Sequence, residues 1–177
     1  MGFPPSQVEV LVFSGKSRVR EFRNDLLQSM TSMRKMFSKP MLSLLRPFLG
    51  KETVSLFRDY IVPVMNMYFE KDREGIDCFF YDAPVSLHFY SSMYADPADS
   101  VIAATYAMLA AESLGLGTCM LGFPGPALKF SKSLRKKYGL PDKIHQGMNL
   151  IVGYPSARHR YAIKRRFASV KRYGEGT

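Results

Sequence analysis

Residues 109–119 read Leu-Ala-Ala-Glu-Ser-Leu-Gly-Leu-Gly-Thr-Cys, a run that predicts the end of a helix, a tight turn and the start of a strand. The helix opens at Asp96-Pro97, because aspartate is a favoured N-cap and proline suits the first helical turn. Gly115 is expected to end it, since glycine adopts the left-handed conformation that follows a C-cap. The sequence therefore predicts a long helix that leads directly into a short strand over 118–121.

The rest of the chain predicts further strands and helices around this unit. β-branched and apolar runs bounded by glycine or proline are typical of strands, and apolar residues at helical spacing are typical of helices. Because the elements alternate without an internal repeat, they predict one layered α+β or α/β domain. The predicted strands are 8–13, 84–90 and 148–152, and the predicted helices are 17–37, 41–49, 52–70 and 127–138.

Composition limits the class of protein. The chain has 177 residues, of which 46% are hydrophobic, so it has ample material for one buried core over residues 1–177. No run of about 18 uncharged apolar residues is present, so no membrane span is predicted. The first residues lack the basic start and apolar run of a secretory signal. Two cysteines, Cys78 and Cys119, form no disulfide framework, and we expect a cytoplasmic location.

The formal charge of +10 is concentrated at the two ends of the chain. Residues 16–73 carry 12 basic and 6 acidic side chains, whereas residues 74–157 carry 6 basic and 7 acidic ones. Residues 158–177 carry seven basic side chains and one acidic one. Such a balance is compatible with nucleic-acid binding. We favour a basic surface with a local anion site, and we expect no nucleic-acid partner.

Motifs that would support metal or side-chain nucleophile chemistry are absent. The sequence contains no phosphate-binding loop, no His-Glu-x-x-His and no Gly-x-Ser-x-Gly element. Three histidines and two cysteines lack the spacing of metal ligands, so no metal site is predicted. We interpret Cys119 as a buried small hydrophobe rather than a reactive thiol, and His88 as a hydrogen-bonded polar residue of a strand. These absences favour a bound organic cofactor.

Residues 98–123, which contain the opening run, resemble the nitroreductase family of flavin enzymes. Three flanking elements agree with the family in order and spacing: Ala83-Pro84-Val85 begins the preceding strand, Tyr138-Gly139-Leu140-Pro141 takes the place of a Leu-Gly-Leu-Pro element, and Gly153-Tyr154-Pro155 ends the last core strand. An arginine-rich tail follows. The agreement is most specific over residues 83–172.

The resemblance implies a fold, an assembly and a cofactor. The fold would be α+β in three layers (α/β/α), with a mixed, mainly antiparallel sheet flanked by helices, in an intertwined homodimer. One FMN would lie at each end of the dimer interface. Members of the family pass a hydride from NADH or NADPH to the flavin and then to a nitroaromatic, a quinone or another small-molecule acceptor.

Site residues follow from the resemblance position by position. The backbone amides of Leu121 and Gly122 match those that donate hydrogen bonds to N5 and O4 of the flavin, where fixed donors orient the ring and stabilise charge. Lys164 and Arg166 match the basic pair that binds the FMN phosphate, and Arg165 is expected to share this role. Taken alone, the basic tail is better explained as a solvated run of charge, and only together with the upstream motif does it favour phosphate binding. No catalytic side chain is predicted, because the chemistry belongs to the flavin.

The sequence departs from the family at its beginning. The family opens with an Arg-Arg-Ser-x-Arg-like segment and a helix before its first strand, whereas here the first predicted strand begins at Val8. The chain is therefore expected to be N-terminally short, either as part of a longer protein or as a short member that has lost part of its flavin site. Residues 39–73, Met-rich and basic, are expected to form a variable helical lid.

The sequence thus predicts an FMN-dependent oxidoreductase of the nitroreductase type. The alternative is a non-catalytic module, either a degenerate flavin binder or a partner-binding dimer.

Overall fold

A four-stranded antiparallel sheet forms the centre of the protein. The structure is a computed structural model, and it describes residues 8–36, 50–157, 168–169 and 171. The order of the strands across the sheet is β1-β2-β4-β3. In the register, Val10 lies opposite Phe89, and Asn149 lies between His88 and Leu121. The strands are β1 (Val8–Ser14), β2 (Val85–Ser91), β3 (Gly117–Leu121) and β4 (Met148–Gly153).

Helices cover both faces of this sheet, which confirms the predicted α+β class and its three layers. One face packs Phe89 and Leu150 against Ala104 of the long helix α4. The other face packs against α1, α5 and α6 in a larger cluster that includes the fully buried Phe22 and Leu128. The described helices are α1 (Lys16–Met36), α2 (Lys51–Leu56), α3 (Val62–Arg73), α4 (Pro97–Ser113), α5 (Pro124–Phe130) and α6 (Lys132–Lys137), with a π-helical turn, Phe57–Ile61, between α2 and α3.

The predicted ends of helix α4 are confirmed. The Asp96 carboxylate accepts a hydrogen bond of 2.7 Å from the N–H of Ala98, so aspartate caps the helix as expected. Gly115 has φ 76°, the left-handed conformation that ends the helix, and the N–H of Leu116 donates to the carbonyl of Ala111. These local signals therefore fix where the strand β3 begins.

The basic helix predicted over 127–138 is wrong, because two short helices occupy this region. α5 already begins at Pro124, since proline needs no hydrogen-bond donor in a first turn. Ser131 then breaks the helix with an extended backbone, φ −96° and ψ 104°. Its hydroxyl accepts a hydrogen bond of 3.4 Å from the N–H of Leu134, and so it caps α6. The break is explained by the serine side chain, because its hydroxyl favours a capping position over a helix interior.

A buried ion-pair cluster fixes α1 to the segment that precedes β2. Arg23, only 9% exposed, donates hydrogen bonds to the carboxylates of Asp72 and Asp77. Burial raises the pKa of Asp77, but the N–H groups of Phe80, Asp82 and Phe79 and the charge of Arg23 outweigh it, so the net pKa lies below its ordinary value. This carboxylate therefore places Phe79 and Phe80 in the core.

His88 occupies the middle of the sheet, where the prediction of a hydrogen-bonded histidine is wrong. The side chain is 0% exposed, and neither ring nitrogen has a hydrogen-bond partner in the structure described. Burial lowers its pKa to about 4, so the ring is neutral at pH 7. On the same sheet face, by contrast, the Asn149 amide donates to the Ser86 hydroxyl at 3.1 Å.

None of the described helices is long and apolar enough to cross a bilayer.

Candidate functional site

The backbone at the end of β3 is open to solvent on one side. Leu121, the last residue of the strand, is 9% exposed and packs into the core. Gly122 follows it and is exposed, and a Cβ built on it meets no atom within 4 Å. Among the turn and loop hydrogen bonds of the described chain, none is donated by the Gly122 N–H. A flat group can therefore approach this backbone and accept a hydrogen bond from it.

The next turn holds this backbone in place. Pro124 and Gly125 are buried at the start of α5, and a Cβ on Gly125 would lie 2.4 Å from the carbonyl oxygen of Gln146. Only glycine allows so close an approach of two backbones. Gly147 is equally close-packed, since its Cβ would lie 2.2 Å from the carbonyl oxygen of Phe89. The site loop is thus seated on the segment that leads into β4.

An apolar cavity of about 410 Å³ lies beside Gly122. One wall comes from the helical segment that contains the π turn, and the other comes from α1, the 79–80 region and the start of α5. No lining residue carries a charge. The lining residues are Phe57, Ile61, Val64, Met65 and Tyr68 on the first side, and Met30, Phe79, Gly122, Phe123, Pro126, Ala127 and Phe130 on the second.

The walls of this cavity are stiffened by aromatic contacts and by the π turn. Phe79 packs edge-on against Phe123 with ring centroids 5.0 Å apart, and against Tyr68 at 4.9 Å. Phe57 and Ile61, the first and last residues of the π turn, both line the cavity. π-helical turns inside helices are frequent at functional sites. The helical segment 57–68 therefore presents a continuous apolar wall to the space beside Gly122.

A second, more polar cavity of about 490 Å³ lies at the opposite end of β3. Its lining includes Cys119, Lys16 and the exposed Tyr154. Cys119 is exposed, so its predicted burial is wrong: β3 is an edge strand of the described sheet, and Cys119 lines the polar cavity there. Desolvation raises the pKa of Tyr81 in the same cavity. Of the predicted cofactor-binding residues, the two that the structure describes, Leu121 and Gly122, do not line this cavity.

The predicted site residues divide into two groups. Gly122 lines the apolar cavity and Leu121 precedes it as the last residue of β3, whereas Lys164, Arg165 and Arg166 lie outside the described residues. The described residues contain no group of three side chains able to hold a metal ion. The cavity wall over 57–68 falls within the lid predicted over 39–73, but its individual lining residues were not predicted, although its apolar residues recur at helical spacing.

Comparisons with known proteins agree with this architecture. A sequence model of the nitroreductase family matches residues 3–154. None of the curated proteins matches the chain.

Among solved structures, a nitroreductase with bound FMN from Desulfitobacterium hafniense is 19% identical, with a TM-score of 0.58, over 93% of this chain and 76% of that chain. A nitroreductase with bound FMN from Bacteroides fragilis is 16% identical, with a TM-score of 0.60, over 95% and 76%. The FMN-dependent nitroreductase NfnB from Mycobacterium smegmatis, solved with NADPH, is 20% identical, with a TM-score of 0.50, over 92% and 79%. At these identities the likeness shows a shared fold.

Proposed function

Because the chain belongs to the nitroreductase family, we propose that it is an FMN-dependent oxidoreductase that passes a hydride from NAD(P)H to a nitroaromatic, a quinone or a similar small acceptor. The observation that carries this proposal is the exposed backbone of Gly122 beside an apolar cavity of about 410 Å³. A Cβ atom added to this glycine would meet no other atom within 4 Å. The FMN-bound structures of similar fold support the choice of cofactor.

The residues present fit FMN in two separate ways. The open backbone at Leu121 and Gly122 suits a planar ring that needs hydrogen-bond donors at its edge, and a glycine leaves room for it. The described lining of the cavity includes no cation that could bind the phosphate. We assign it to Lys164, Arg165 and Arg166, because a dianion is bound best by charge-assisted hydrogen bonds.

The bound flavin would supply reversible hydride transfer, and the chain would supply orientation and a dry environment. The N–H of Gly122, fixed by the packing of Gly125 on Gln146, is a preorganised donor. The side chain of Phe123, which follows Gly122, makes the adjoining cavity wall apolar. No side chain needs to titrate in this scheme.

We further propose a homodimer built on α4. This helix leaves large apolar side chains exposed, with Ile102 at 51%, Tyr106 at 71% and Leu109 at 54% exposure. Exposed apolar patches of this kind mark interaction surfaces. In the same proposal residues 1–177 form one domain, and residues 39–73 are its lid, of which the described part forms the cavity wall. The free thiols of Cys78 and Cys119 support a reducing compartment such as the cytoplasm.

Flavin reconstitution tests the proposed function. The purified chain, incubated with FMN and desalted, should retain a yellow chromophore that NADH or NADPH bleaches under anaerobic conditions. Riboflavin, which lacks the phosphate, should bind more weakly than FMN if the basic tail acts as proposed. A protein that stays colourless would refute the assignment for this chain. Flavin that is retained but reduced by neither nicotinamide would favour a non-catalytic flavin-binding module instead.

A further inference from the structure

We infer that the cavity beside Gly122 admits uncharged, lipophilic aromatic acceptors and rejects acceptors that carry an anionic group. The inference concerns binding in the cavity itself, and it rests on the proposed function only for the reaction that follows binding. It narrows the acceptor to a class defined by charge and hydrophobicity.

The chemistry of the walls excludes a charge. Among the residues that the structure describes, every lining side chain is apolar except that of Tyr68, and none belongs to an acidic or basic residue. A sulfonate or carboxylate that enters such a space loses its hydration and gains no partner, which is strongly unfavourable. Two described cations beside lining residues have partners of their own: Arg58, next to Phe57, pairs with Asp59 at 2.6 Å, and the ammonium of Lys129 lies 5.9 Å from the ring centroid of Phe130.

The shape of the cavity favours an aromatic body. Its volume of about 410 Å³ falls in the range of small-molecule sites, roughly 300–1,000 Å³. Rings from Phe57, Tyr68 and Phe79 border it, and they offer the edge-to-face and offset contacts that aromatic ligands prefer. A bicyclic quinone with a short hydrocarbon substituent matches this volume and this surface.

The reaction of such an acceptor balances without any further reagent. NAD(P)H loses a hydride and becomes NAD(P)⁺. The quinone gains that hydride's two electrons and one proton equivalent, together with one proton from water, so both of its carbonyl groups become hydroxyl groups. The products are the neutral hydroquinone and the oxidised nicotinamide.

Two fluorescent probes that differ by one sulfonate test the binding step without flavin. N-phenyl-1-naphthylamine is uncharged, and 1-anilinonaphthalene-8-sulfonate is its anionic analogue. The uncharged probe should bind to the chain at least about tenfold more tightly than the sulfonate, since burial of an unpaired anion is costly. General electrostatics would act in the opposite direction, because the formal charge of +10 attracts anions.

A matched pair of lysine substitutions locates the binding. Val64→Lys places a cation in the cavity wall. It should therefore weaken binding of the uncharged probe and strengthen binding of the sulfonate, each by about tenfold. Met67→Lys adds the same charge to the same helix at a side chain that is 48% exposed and does not line the cavity, so it should change neither affinity.

Three results would overturn the inference: equal affinity for the two probes, an equal response to both lysine substitutions, or no binding of the uncharged probe, which would mean that another segment or a second copy fills the cavity. If Val64→Lys does not fold, the comparison of the two probes on the unsubstituted chain still decides.

Acceptor kinetics separate this inference from the proposed function. The FMN-loaded protein, reduced anaerobically with NADPH, is mixed with 1,4-naphthoquinone or with its 2-sulfonate. The sulfonate is the stronger oxidant, yet it should reoxidise the protein at least about tenfold more slowly, because it is excluded from the cavity. Equally fast reoxidation refutes the inference and leaves the proposed function intact. Failure of FMN to bind or to be reduced refutes the proposed function, while the probe result still stands.

Discussion

A methyl group added at Gly122 should separate cofactor binding from stability. In Gly122→Ala the new Cβ meets no atom within 4 Å, and the backbone is not in the left-handed region, so the folded state accepts the substitution without strain. Replacing glycine at such a position stabilises a protein by about 0.4–1 kcal/mol, because the unfolded chain loses freedom. The same space is where the flavin ring is proposed to lie. We expect the methyl to weaken the hydrogen bond to the ring by about 1 kcal/mol, or about fivefold in Kd.

Gly125→Ala is the matched comparison, because it adds the same methyl three residues further along the loop. Here the Cβ would lie 2.4 Å from the backbone oxygen of Gln146 and 2.7 Å from its Cγ, so the backbone must move. Overpacking of this kind costs about 1–3 kcal/mol. Urea unfolding of the two variants measures stability, and quenching of FMN fluorescence on binding measures affinity.

Stability towards urea and affinity for FMN should respond differently to the two substitutions. Gly122→Ala is expected to unfold at the same or a higher urea concentration and to bind FMN more weakly, whereas Gly125→Ala is expected to unfold at a lower one. Unchanged FMN affinity in Gly122→Ala would refute the placement of the ring against this backbone. A loss of stability as large as that of Gly125→Ala would refute the local reasoning on steric space.

Further predictions concern the tail, the interface, a buried histidine and a buried cation. Lys164→Ala and Arg166→Ala should each weaken FMN binding by about 1.5–3 kcal/mol and leave riboflavin binding unchanged in the same titration. Ile102→Glu, which places a charge on the apolar face of α4, should convert a dimer into a monomer in analytical ultracentrifugation. Burial lowers the pKa of His88 from 6.5 to about 4, so its contribution to stability is complete above pH 6.5 and is lost as the pH falls towards 4. The loss is on the order of 3 kcal/mol, and His88→Leu should give a flatter profile in urea unfolding between these pH values. Arg23→Met leaves two partly buried carboxylates unpaired and should lower the free energy of unfolding by about 3 kcal/mol in the same assay.

Features determined by a few neighbouring residues could be predicted from the sequence. The cap at Asp96 and the left-handed Gly115 need only their own side chains and backbone, and both are found as expected. The resemblance around residues 98–123 then supplies the layered arrangement of sheet and helices, which local rules do not encode. The three-layer fold was predictable because a specific motif and the local signals agree.

Features determined by tertiary packing were predicted wrongly. The alternation of apolar and polar residues around His88 is typical of a strand with one wet face, but α1, α5 and α6 cover that face and leave the ring dry. Cys119 is a small hydrophobic residue of the kind found in cores, yet it lies on an edge strand of the described sheet and is exposed. Which face of a strand is covered depends on how helices from distant parts of the chain dock.

The candidate site shows the same division. Leu121 and Gly122 could be proposed by number because the family motif covers them, whereas the wall over 57–68 could be proposed only as part of a lid over 39–73. Helical spacing predicts that Phe57, Ile61 and Tyr68 share one face, but the spacing does not indicate whether that face meets the core or a cavity. The position of the helix is decided by long-range contacts, among them the ion pair of Arg23 with Asp72 just before its end.

The separation of charge from the apolar cavity has a consequence for specificity. Among the described cations, Lys137 is paired with Asp25 at 2.5 Å and with Glu21 at 3.2 Å, and Arg135 donates to the carbonyl of Leu128. These groups stabilise the helices instead of binding a ligand. If the phosphate is bound by the tail and the ring by the backbone at Gly122, the cavity wall over 57–68 is left to select the acceptor. Substitutions in that wall can then change acceptor preference without a change in cofactor affinity, because no residue of the wall serves both purposes.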